Sequence, residues 1–425
     1  MFHGQGPSAA CGENPVDPKP GSGVAPATGR RNPVKHALCT AAALLAASTA
    51  LADPWPQEAP NTSYQPAFPE QTRAPAMQSD ITLKVEPVIE GLENPWALAF
   101  LPDGSALITE RPGRLSLWKD GTVTPVTGIP EVFAEGQGGL LDVAVSPDFA
   151  RSRTIFLSYA EPREGGNGTA VARMQLAEDG ASVQDVAVLF SQQPTYDGAL
   201  HFGGRIVPDP NGGLFITLGE RSDVPIRDSA QSLDNHLGKL IRISRLPGTP
   251  LENPLAGQDG ALPEIYALGL RNVQAATLDA DGQLWTVEHG PRGGDELNRI
   301  EPGKNYGWPV ISYGINYNGT PVNEGITSRD GMEQPVYYWD PVIAPSGALF
   351  YDGPLFADWQ GDLLIGAMNP PGLVRLTLTD GKVTGEERLD PGIGRIRDVQ
   401  QAEDGSIWVV TDEGDGGLYR LTPEG

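Results

Sequence analysis

Short runs of apolar residues recur along the chain, and each follows a turn rich in Asp, Asn or Gly. The turn Pro102-Asp103-Gly104 leads into Ala106–Glu110, and the turn Asp404-Gly405 leads into Ile407–Thr411. Turns of this kind beside strand-like runs are a strong hairpin signal. Six copies of the unit stand at long, uneven intervals, with turns that begin at Pro102, Pro147, Pro210, Asp281, Trp359 and Asp404.

Each copy is best interpreted as one four-stranded blade, with insertions between copies. We therefore predict an all-β fold, a six-bladed β-propeller of four-stranded antiparallel sheets. A β-helix and a pair of β-sandwiches are the alternatives, but the spacing is too wide for the first and too irregular for the second. Few helices are expected, and residues 229–240 form the best short candidate.

The boundaries of the predicted propeller are inferred from composition. Residues 81–425 are predicted to form a single propeller domain, and residues 53–80, rich in Pro, Gln, Thr and Ser, a mobile leader. Residues 1–52 are predicted to be an N-terminal extension and signal peptide. Basic residues 30, 31 and 35 precede an apolar run over 37–51 that ends in Ala-Leu-Ala, as in a secretory signal cleaved before Asp53.

A cleaved signal peptide predicts a periplasmic or secreted protein. We expect residues 1–29 to reflect the choice of start codon, because signal peptides rarely follow such an extension. Both cysteines, Cys11 and Cys39, lie in the removed part, so the mature chain would have no disulfide. A lipoprotein site at Cys39 is the less favoured alternative, since Leu38 rather than a small residue precedes it.

Charge limits the partners of the chain. The formal net charge is −24, which argues against nucleic acid and anionic membrane surfaces as partners. After residue 52 no stretch approaches the roughly 20 apolar residues of a membrane span. No P-loop, Rossmann glycine pattern, metalloprotease histidine pair or nucleophile elbow is present, so nucleotide cofactors and serine chemistry are disfavoured.

Only three histidines follow the predicted signal peptide, at positions 201, 236 and 289. His201 stands in Leu-His-Phe-Gly-Gly-Arg, where glycines let a ligand approach the backbone. It could act as a general base near neutral pH. From the residues alone, a hydrogen-bonded loop histidine is the favoured alternative, and His236 is expected to be structural.

Five polar residues are further candidates. Gln137, flanked by glycines, could orient a hydroxylated substrate or could simply be solvated. Arg271 and Asn272 follow an apolar run and suit a carbonyl or carboxylate, or else a surface salt bridge. Arg395 and Arg397 alternate with Ile396, so both guanidinium groups share one face. Two adjacent like charges are unfavourable unless an anion lies between them.

The stretch over residues 288–296, followed by residues 305–309, is rich in Asp, Glu and turn carbonyls. Oxygen ligands of this kind are those that a hard cation such as Ca²⁺ prefers. Such a cation could hold an anionic cofactor beside a catalytic base.

Taken in order, these motifs resemble the soluble quinoprotein sugar dehydrogenases of the glucose/sorbosone dehydrogenase family, which use pyrroloquinoline quinone (PQQ). The resemblance runs from about Leu83 to Leu421 and is closer to the bacterial aldose sugar dehydrogenase branch. It rests on seven motifs: Asn94-Pro-Trp-Ala, Gly136-Gln-Gly-Gly-Leu-Leu, His201-Phe-Gly-Gly-Arg, Leu270-Arg-Asn, residues 288–296, residues 305–309 and Arg395-Ile-Arg-Asp.

The resemblance implies oxidation of an aldose at C1 to the lactone, with PQQ and Ca²⁺ as cofactors and an external electron acceptor, a quinone or a cytochrome. His201 would take the proton of the anomeric hydroxyl, and Arg271 would polarise a quinone carbonyl. The residues implied to bind cofactor, substrate and metal are Asn272, Arg395 and Arg397 for PQQ, with Asn369 where relatives often have Lys; Gln137 for the sugar; and Gly290 and Pro291 for one Ca²⁺, with Glu296 and Tyr306 for another.

Leu200 stands where the glucose-specific branch has Asp, which leaves the preferred sugar open. Two further hypotheses stay open beside the dehydrogenase. A calcium-dependent propeller lactonase would use the acidic stretch but leave Arg395 and Arg397 without a role. A non-catalytic binding propeller would keep the fold without needing His201.

Overall fold

The computed structural model describes residues 58–424, which form six four-stranded antiparallel sheets. In chain order the strands are β1 (Leu83–Leu92); β2 (Pro95–Phe100), β3 (Ala106–Glu110), β4 (Arg114–Lys119) and β5 (Thr122–Val126); β6 (Leu140–Val145), β7 (Thr154–Arg163), β8 (Gly166–Leu176) and β9 (Val183–Ser191); β10 (Gly203–Pro208), β11 (Gly213–Leu218), β12 (Lys239–Ser244) and β13 (Ile265–Leu268). They continue with β14 (Val273–Leu278), β15 (Leu284–Glu288), β16 (Asp295–Arg299) and β17 (Tyr337–Trp339); β18 (Pro345–Phe350), β19 (Leu363–Met368), β20 (Pro371–Thr379) and β21 (Lys382–Leu389); β22 (Ile396–Gln401), β23 (Ile407–Thr411) and β24 (Gly416–Pro423).

The sheets are the blades of a ring, because the first strand of each contacts the first strand of the next. These innermost strands are β2, β6, β10, β14, β18 and β22. The N-terminal strand β1 pairs with β24 at the outer edge of the sixth blade, from Leu83 opposite Pro423 to Leu92 opposite Gly416. This pairing closes the ring with both ends of the domain. The prediction of a six-bladed propeller is confirmed.

All six Asp-Gly type turns join an innermost strand to the second strand of its blade. Gly104 shows why glycine is needed there, since its φ of 81° is in the left-handed region that other residues disfavour. The turns therefore mark one end of the propeller. The starts of the innermost strands mark the other end.

At that other end, every innermost strand begins with an irregular pairing to its neighbour. The register shifts fall between residues 95 and 97, 140 and 143, 203 and 206, 273 and 275, 345 and 348, and 396 and 398. A bulge redirects the side chains beside it and ends the regular ladder. At these strand starts, the side chains therefore need not alternate between the two faces of the sheet as they do in a regular strand.

Apolar side chains fill the spaces between blades. Between the fourth and fifth blades, Trp285, Trp339 and Ile365 pack in one buried cluster. Burying side chains of this size contributes roughly 1.5–3 kcal/mol each. The described helices are short: α1 (Phe149–Ser152) and the 3₁₀ turns Pro69–Gln71, Ile226–Gln231 and Ala357–Trp359.

The helix predicted over residues 229–240 is wrong. The 3₁₀ turn Ile226–Gln231 ends early, and β12 begins at Lys239. Gly238 breaks any helix with a φ of 62°, and a Cβ at this position would lie 2.4 Å from the carbonyl oxygen of Leu270. Lys239 and Leu240 then pair with β13, so tertiary pairing overrides the local pattern.

Residues 58–80, the described part of the predicted leader, lie against the fourth and fifth blades. The carboxylate of Asp340 accepts hydrogen bonds from the backbone and side chains of Asn61 and Thr62 at 2.9–3.0 Å. Gln71 is fully buried and donates to the Pro335 carbonyl. Ala76 forms a β-bridge with Glu386. The leader's composition gave no sign of these contacts.

The predicted extension and signal peptide, residues 1–52, lie outside the described residues, as do residues 53–57. Export, cleavage before Asp53 and the interpretation of Cys11 and Cys39 stay predictions. Within residues 58–424, no helix is long and apolar enough to cross a membrane.

Candidate active site

A cavity of about 160 Å³ lies where the six innermost strands begin. Every blade contributes to its wall, which consists of Trp96, Arg111, Gln137, Phe202, Gly203, Asn272, Gln274, His289, Met368, Arg395, Arg397 and Asp412. A larger cavity, about 610 Å³, opens between the fourth and fifth blades at the turn end, beside Asp279. None of the predicted site residues lines that larger cavity, so the smaller one is the candidate site.

His201 lies beside the cavity wall and is buried against Glu220. Its Nδ1 is 2.6 Å from Oε2 of Glu220, whose side chain is completely buried at the end of β11. Burial lowers the pKa of His201, with the Glu220 charge opposing this shift. Burial alone would raise the pKa of Glu220, but the nearby His201 and Arg271 lower it overall.

The two directions fix the protonation of the pair. An ionised carboxylate accepts, so Nδ1–H of a neutral imidazole donates to Glu220. The lone pair is then on Nε2, which forms no hydrogen bond with the described residues. This is the arrangement of a general base whose tautomer is set by a buried acid. The bond to Glu220 is what a hydrogen-bonded loop histidine would form, and the free Nε2 is what a general base needs in addition, so the catalytic role of His201 stays a prediction.

Gln137 is exposed at the cavity and is tied to the same loop. Its side-chain Oε1 accepts a hydrogen bond from the backbone N–H of His201 at 2.9 Å. Its backbone N–H donates to the Ala199 carbonyl. The side-chain oxygen is therefore engaged, and the amide NH₂ group is the part left for a substrate.

Arg271 and Asn272 connect the loops around the cavity. Nη1 of Arg271 donates to the carbonyls of His289 and Gly290 at 2.9 and 2.7 Å, and its guanidinium lies 5.1 Å from the Trp308 ring centre. Asn272 accepts from the backbone N–H of Gly203 at 3.2 Å. Both residues are buried, which rules out the surface salt bridge considered from the sequence.

Arg395 and Arg397 do share one face, and the anion between them is the protein's own. Oδ2 of Asp412 accepts from Arg397 at 2.6 Å and from Arg395 at 3.2 Å. Burial would raise the pKa of Asp412, but Arg397 outweighs it and lowers the pKa below its usual range. Arg111 lines the same cavity and donates to the Gly136 carbonyl. Three guanidinium groups therefore face one carboxylate, which leaves the wall positive.

Asn369 is placed differently from its expected position. It is exposed at the turn after β19 and does not line the cavity, whereas its neighbour Met368 does. Arg395 donates to the Met368 carbonyl at 3.3 Å, so Met368 fills this part of the wall. Among the described residues, the one hydrogen bond of Asn369 is from its backbone N–H to the Ile343 carbonyl.

The predicted metal ligands fall into two groups. Gly290 and Pro291 belong to a tight loop in which a Cβ on Gly290 would lie 2.2 Å from the Gly294 carbonyl, so only glycine fits. Glu296 faces Glu288 across β15 and β16. Tyr306 is buried between the third and fourth blades, and its hydroxyl donates to the Arg299 carbonyl.

The acidic residues of this region are protonated more easily than usual. Burial raises the pKa of Glu288 and of Asp295 to about 7, and burial with repulsion from Glu288 raises that of Glu296 well above its usual range. The Asn298 amide donates to Glu288 at 3.1 Å, but its buried oxygen has no partner. No group of three or more His, Cys, Asp or Glu residues within the described range is arranged to hold a metal ion.

Three charged residues of the site were not anticipated from the sequence: Glu220, Asp412 and Arg111. Each follows the second strand of its blade, at the end of β11, β23 and β3. Each of these strands is followed within two residues by a charged residue at the cavity end of its blade. That shared position was the available signal, but it becomes meaningful only once the blades are assigned.

The fold and this cavity define a class: a propeller whose cavity carries a histidine paired with a buried acid, beside a cationic wall. Over residues 92–420 the chain matches the Glucose / Sorbosone dehydrogenase family. It belongs to this family and is an oxidoreductase.

Particular relatives agree with this assignment. The chain is similar to aldose sugar dehydrogenase YliI of Escherichia coli (strain K12), with 44% identity over 349 residues that cover 80% of this chain and 93% of that protein. A solved glucose dehydrogenase has a TM-score of 0.76 and 48% identity, and covers 79% of this chain and 99% of its own. The PQQ-bound aldose sugar dehydrogenase of Streptomyces coelicolor has a TM-score of 0.67 and 28% identity, over 83% of this chain and 100% of its own.

Proposed function

We propose that the protein oxidises aldose sugars at C1 to the lactone, with PQQ and Ca²⁺ as cofactors and an external electron acceptor. The observation that carries the proposal is the His201–Glu220 pair beside a cavity walled by guanidinium groups. Membership of the family and the similarity to a PQQ-bound aldose sugar dehydrogenase support the same assignment.

The cavity wall fits an anionic cofactor. It concentrates positive charge in a chain whose formal net charge is −24, and the buried Nε atoms of Arg111, Arg271 and Arg397 have no partner among the described residues. Unpartnered buried donors are costly, so a ligand rich in oxygen would satisfy them. PQQ carries three carboxylates and two quinone carbonyls, which would bind to Arg395, Arg397, Arg271 and Asn272.

When bound, PQQ supplies the acceptor for the two electrons that leave the sugar. The chain's own part is to bind, orient and deprotonate. Nε2 of His201 takes the proton of the anomeric hydroxyl, and Glu220 stabilises the resulting imidazolium through Nδ1. The NH₂ group of Gln137 orients a sugar hydroxyl beside that base. Arg271 would hold a cofactor carbonyl and supply positive charge beside it.

The support for calcium is the presence of oxygen ligands, since no preformed metal cluster is found among the described residues. Glu288, Glu296 and the unpartnered Asn298 oxygen lie close together, and a cation would relieve the repulsion that raises the pKa of Glu296. Beside the cavity, the Pro291 carbonyl and the second lone pair of the Gly290 carbonyl would serve the cofactor-bound ion. The first lone pair of Gly290 accepts from Arg271.

Reconstitution tests the proposal. Purified protein is freed of metal with a chelator, and oxidation of an aldose panel is followed with a redox dye after adding PQQ, Ca²⁺, both or neither. We expect activity only with both, together with a lactone product that hydroxylamine traps as the hydroxamate. A folded protein that oxidises no sugar with both cofactors present, but hydrolyses lactones with Ca²⁺ alone, would contradict the proposal.

A further inference from the structure

Three consecutive residues after β11 contact the loop that carries His201. Gly219 lies so close that a Cβ on it would be 2.0 Å from the His201 carbonyl oxygen, and its own carbonyl accepts from Gln192 at 3.2 Å. Glu220 binds the imidazole. Arg221 turns back toward the residues on either side of His201. Only Gly at the first position allows the other two to reach the loop.

Arg221 binds backbone rather than acid. Its Nε donates to the Leu200 carbonyl at 3.0 Å, and its Nη2 donates to the Gly198 carbonyl and to Oδ1 of Asn167 at 2.7 Å. The guanidinium lies 4.0 Å from the centre of the Phe202 ring, a cation–π distance. One side chain thus holds the residues just before His201 and the residue just after it.

The cost of this arrangement indicates a role beyond packing. Arg221 is 1% exposed and forms no ion pair with the described residues. Burial lowers its pKa to about 10. Burying a cation without a carboxylate partner is unfavourable, and a neutral side chain could fill the same space. The chain keeps the cation where its fork of donors reaches two carbonyls of one loop.

The backbone here is also held in uncommon conformations. His201, Arg221 and Ser222 have φ values of 49°, 74° and 71°, in the left-handed region that non-glycine residues seldom adopt. Such residues persist where surrounding contacts determine them, and they cluster at functional sites. The backbone N–H of Ser222 donates to Glu220 at 2.9 Å, so the two strained segments are joined through that carboxylate.

We propose that Arg221 is a positioning residue for His201: by holding Gly198, Leu200 and Phe202, it fixes the loop so that Nδ1 meets Glu220 and Nε2 stays free for the sugar. Arg221 is not itself part of the cavity wall, which it meets only through the Phe202 ring among the described residues. The proposal deepens the function proposed above and rests on it for its kinetic consequence. Its structural consequence, the geometry of the imidazole, is independent of any cofactor.

The test compares Arg221→Met, Arg221→Lys and a matched control, Arg375→Met. Arg375 is a second buried guanidinium, packed 5.1 Å from the Trp359 ring and paired with Asp362 and Glu387 in the fifth blade. It has no contact with the cavity, so its loss affects stability alone. Thermal unfolding of all three variants separates a loss of fold from a loss of position.

The first readout uses protein without cofactor. The chain has five histidines, so labelling histidine with ¹⁵N gives few imidazole signals. In the wild type we expect a downfield proton on Nδ1 of His201 from its short bond to Glu220. Arg221→Met should shift or broaden this proton and leave the His236 and His289 signals in place. Arg221→Lys should restore it in part, and Arg375→Met should not affect it.

The second readout is kinetic. With PQQ and Ca²⁺ bound, we expect kcat to fall about 100-fold in Arg221→Met, as for a catalytic group displaced by about 1 Å. Arg221→Lys should recover about tenfold, because an ammonium reaches one of the two carbonyls. The affinity for PQQ, from quenching of tryptophan fluorescence, should stay within about threefold, since Arg221 does not line the cavity.

The outcomes distinguish the two proposals. An unchanged His201 proton in folded Arg221→Met, or a kcat within threefold of the wild type, would overturn the positioning role. A displaced His201 proton in a protein whose wild type oxidises no sugar would leave the positioning of His201 intact and remove the proposed function.

Discussion

Replacing Glu220 by Gln is the sharpest perturbation of the proposed base. The carboxylate accepts from Nδ1 of His201 at 2.6 Å and from the Ser222 backbone at 2.9 Å, and its other oxygen has no partner. Gln has the same shape but can turn its NH₂ group toward Nδ1. It would then stabilise the imidazole tautomer with the proton on Nε2, which cannot accept a proton from the sugar.

The size of the effect follows from the burial of the pair. Glu220 is fully buried, so solvent does not screen the bond. A charge-assisted hydrogen bond contributes about 1.5–3 kcal/mol, and each 1.36 kcal/mol is about tenfold in rate. Losing the bond alone therefore predicts a drop in kcat of about 10- to 150-fold. The competing tautomer adds to this, and we expect kcat to fall by about 100-fold or more.

The assay is dye-linked oxidation of an aldose by the reconstituted enzyme, with kcat and KM measured separately. Glu264→Gln is the matched control, because Glu264 pairs with His236 at 3.5 Å away from the cavity. It should keep kcat within about twofold. If Glu220→Gln retained more than a third of the wild-type kcat while folding normally, the claim that this carboxylate sets the base would be refuted.

Other predictions concern pH, the cofactor and the leader. Burial lowers the pKa of His201 below its usual 6.5, and the neutral form is the base, so kcat/KM should be lost only as pH falls through a value below 6.5; a limb centred above 7 would argue against this base. Arg397→Met should weaken PQQ binding about 30-fold and Arg395→Met about threefold, because their side chains are 11% and 40% exposed. A fluorescence titration in which Arg395→Met lost more PQQ affinity than Arg397→Met would contradict this. Asp340→Ala removes four hydrogen bonds to the leader and should lower the free energy of unfolding by about 2–4 kcal/mol. A free energy from urea unfolding within about 0.5 kcal/mol of the wild-type value, the size of a surface-substitution effect, would show that these bonds contribute nothing to stability.

Much of the fold could be predicted because its signal is local. A turn such as Asp404-Gly405 requires a particular backbone conformation, and repetition of that requirement counts the blades. The same holds for His201, Asn272 and Arg397, which the structure brings to one cavity because each stands at the start of an innermost strand. Position within a repeated unit is information that a sequence carries.

The partners of these residues could not be predicted, because they come from other strands. Glu220 is 19 positions from His201, and only the pairing of β10 with β11 brings their ends together. Asp412 meets Arg397 in the same way, through β22 and β23. The expectation of an external anion between Arg395 and Arg397 was therefore incomplete, because one carboxylate of the chain already lies there.

The helix expected over residues 229–240 failed for a related reason. Ala, Leu and Gln in this stretch favour a helix locally, but Lys239 is the first residue of β12. Its ammonium donates to the carbonyls of Ser229, Ala230 and Leu237 at 2.6–3.1 Å. Tertiary contacts of this kind outweigh propensities of a few tenths of a kcal/mol.

The measurement that tests the account most directly is aldose oxidation by His201→Ala, beside His236→Ala as a control, in protein reconstituted with PQQ and Ca²⁺. His236 is also buried and bound to a glutamate, but it does not line the cavity. We expect His201→Ala to lose at least about 1000-fold in kcat, within the range for removal of a general base, with PQQ still bound, and His236→Ala to stay near the wild type. Equal activity in the two variants would contradict the account.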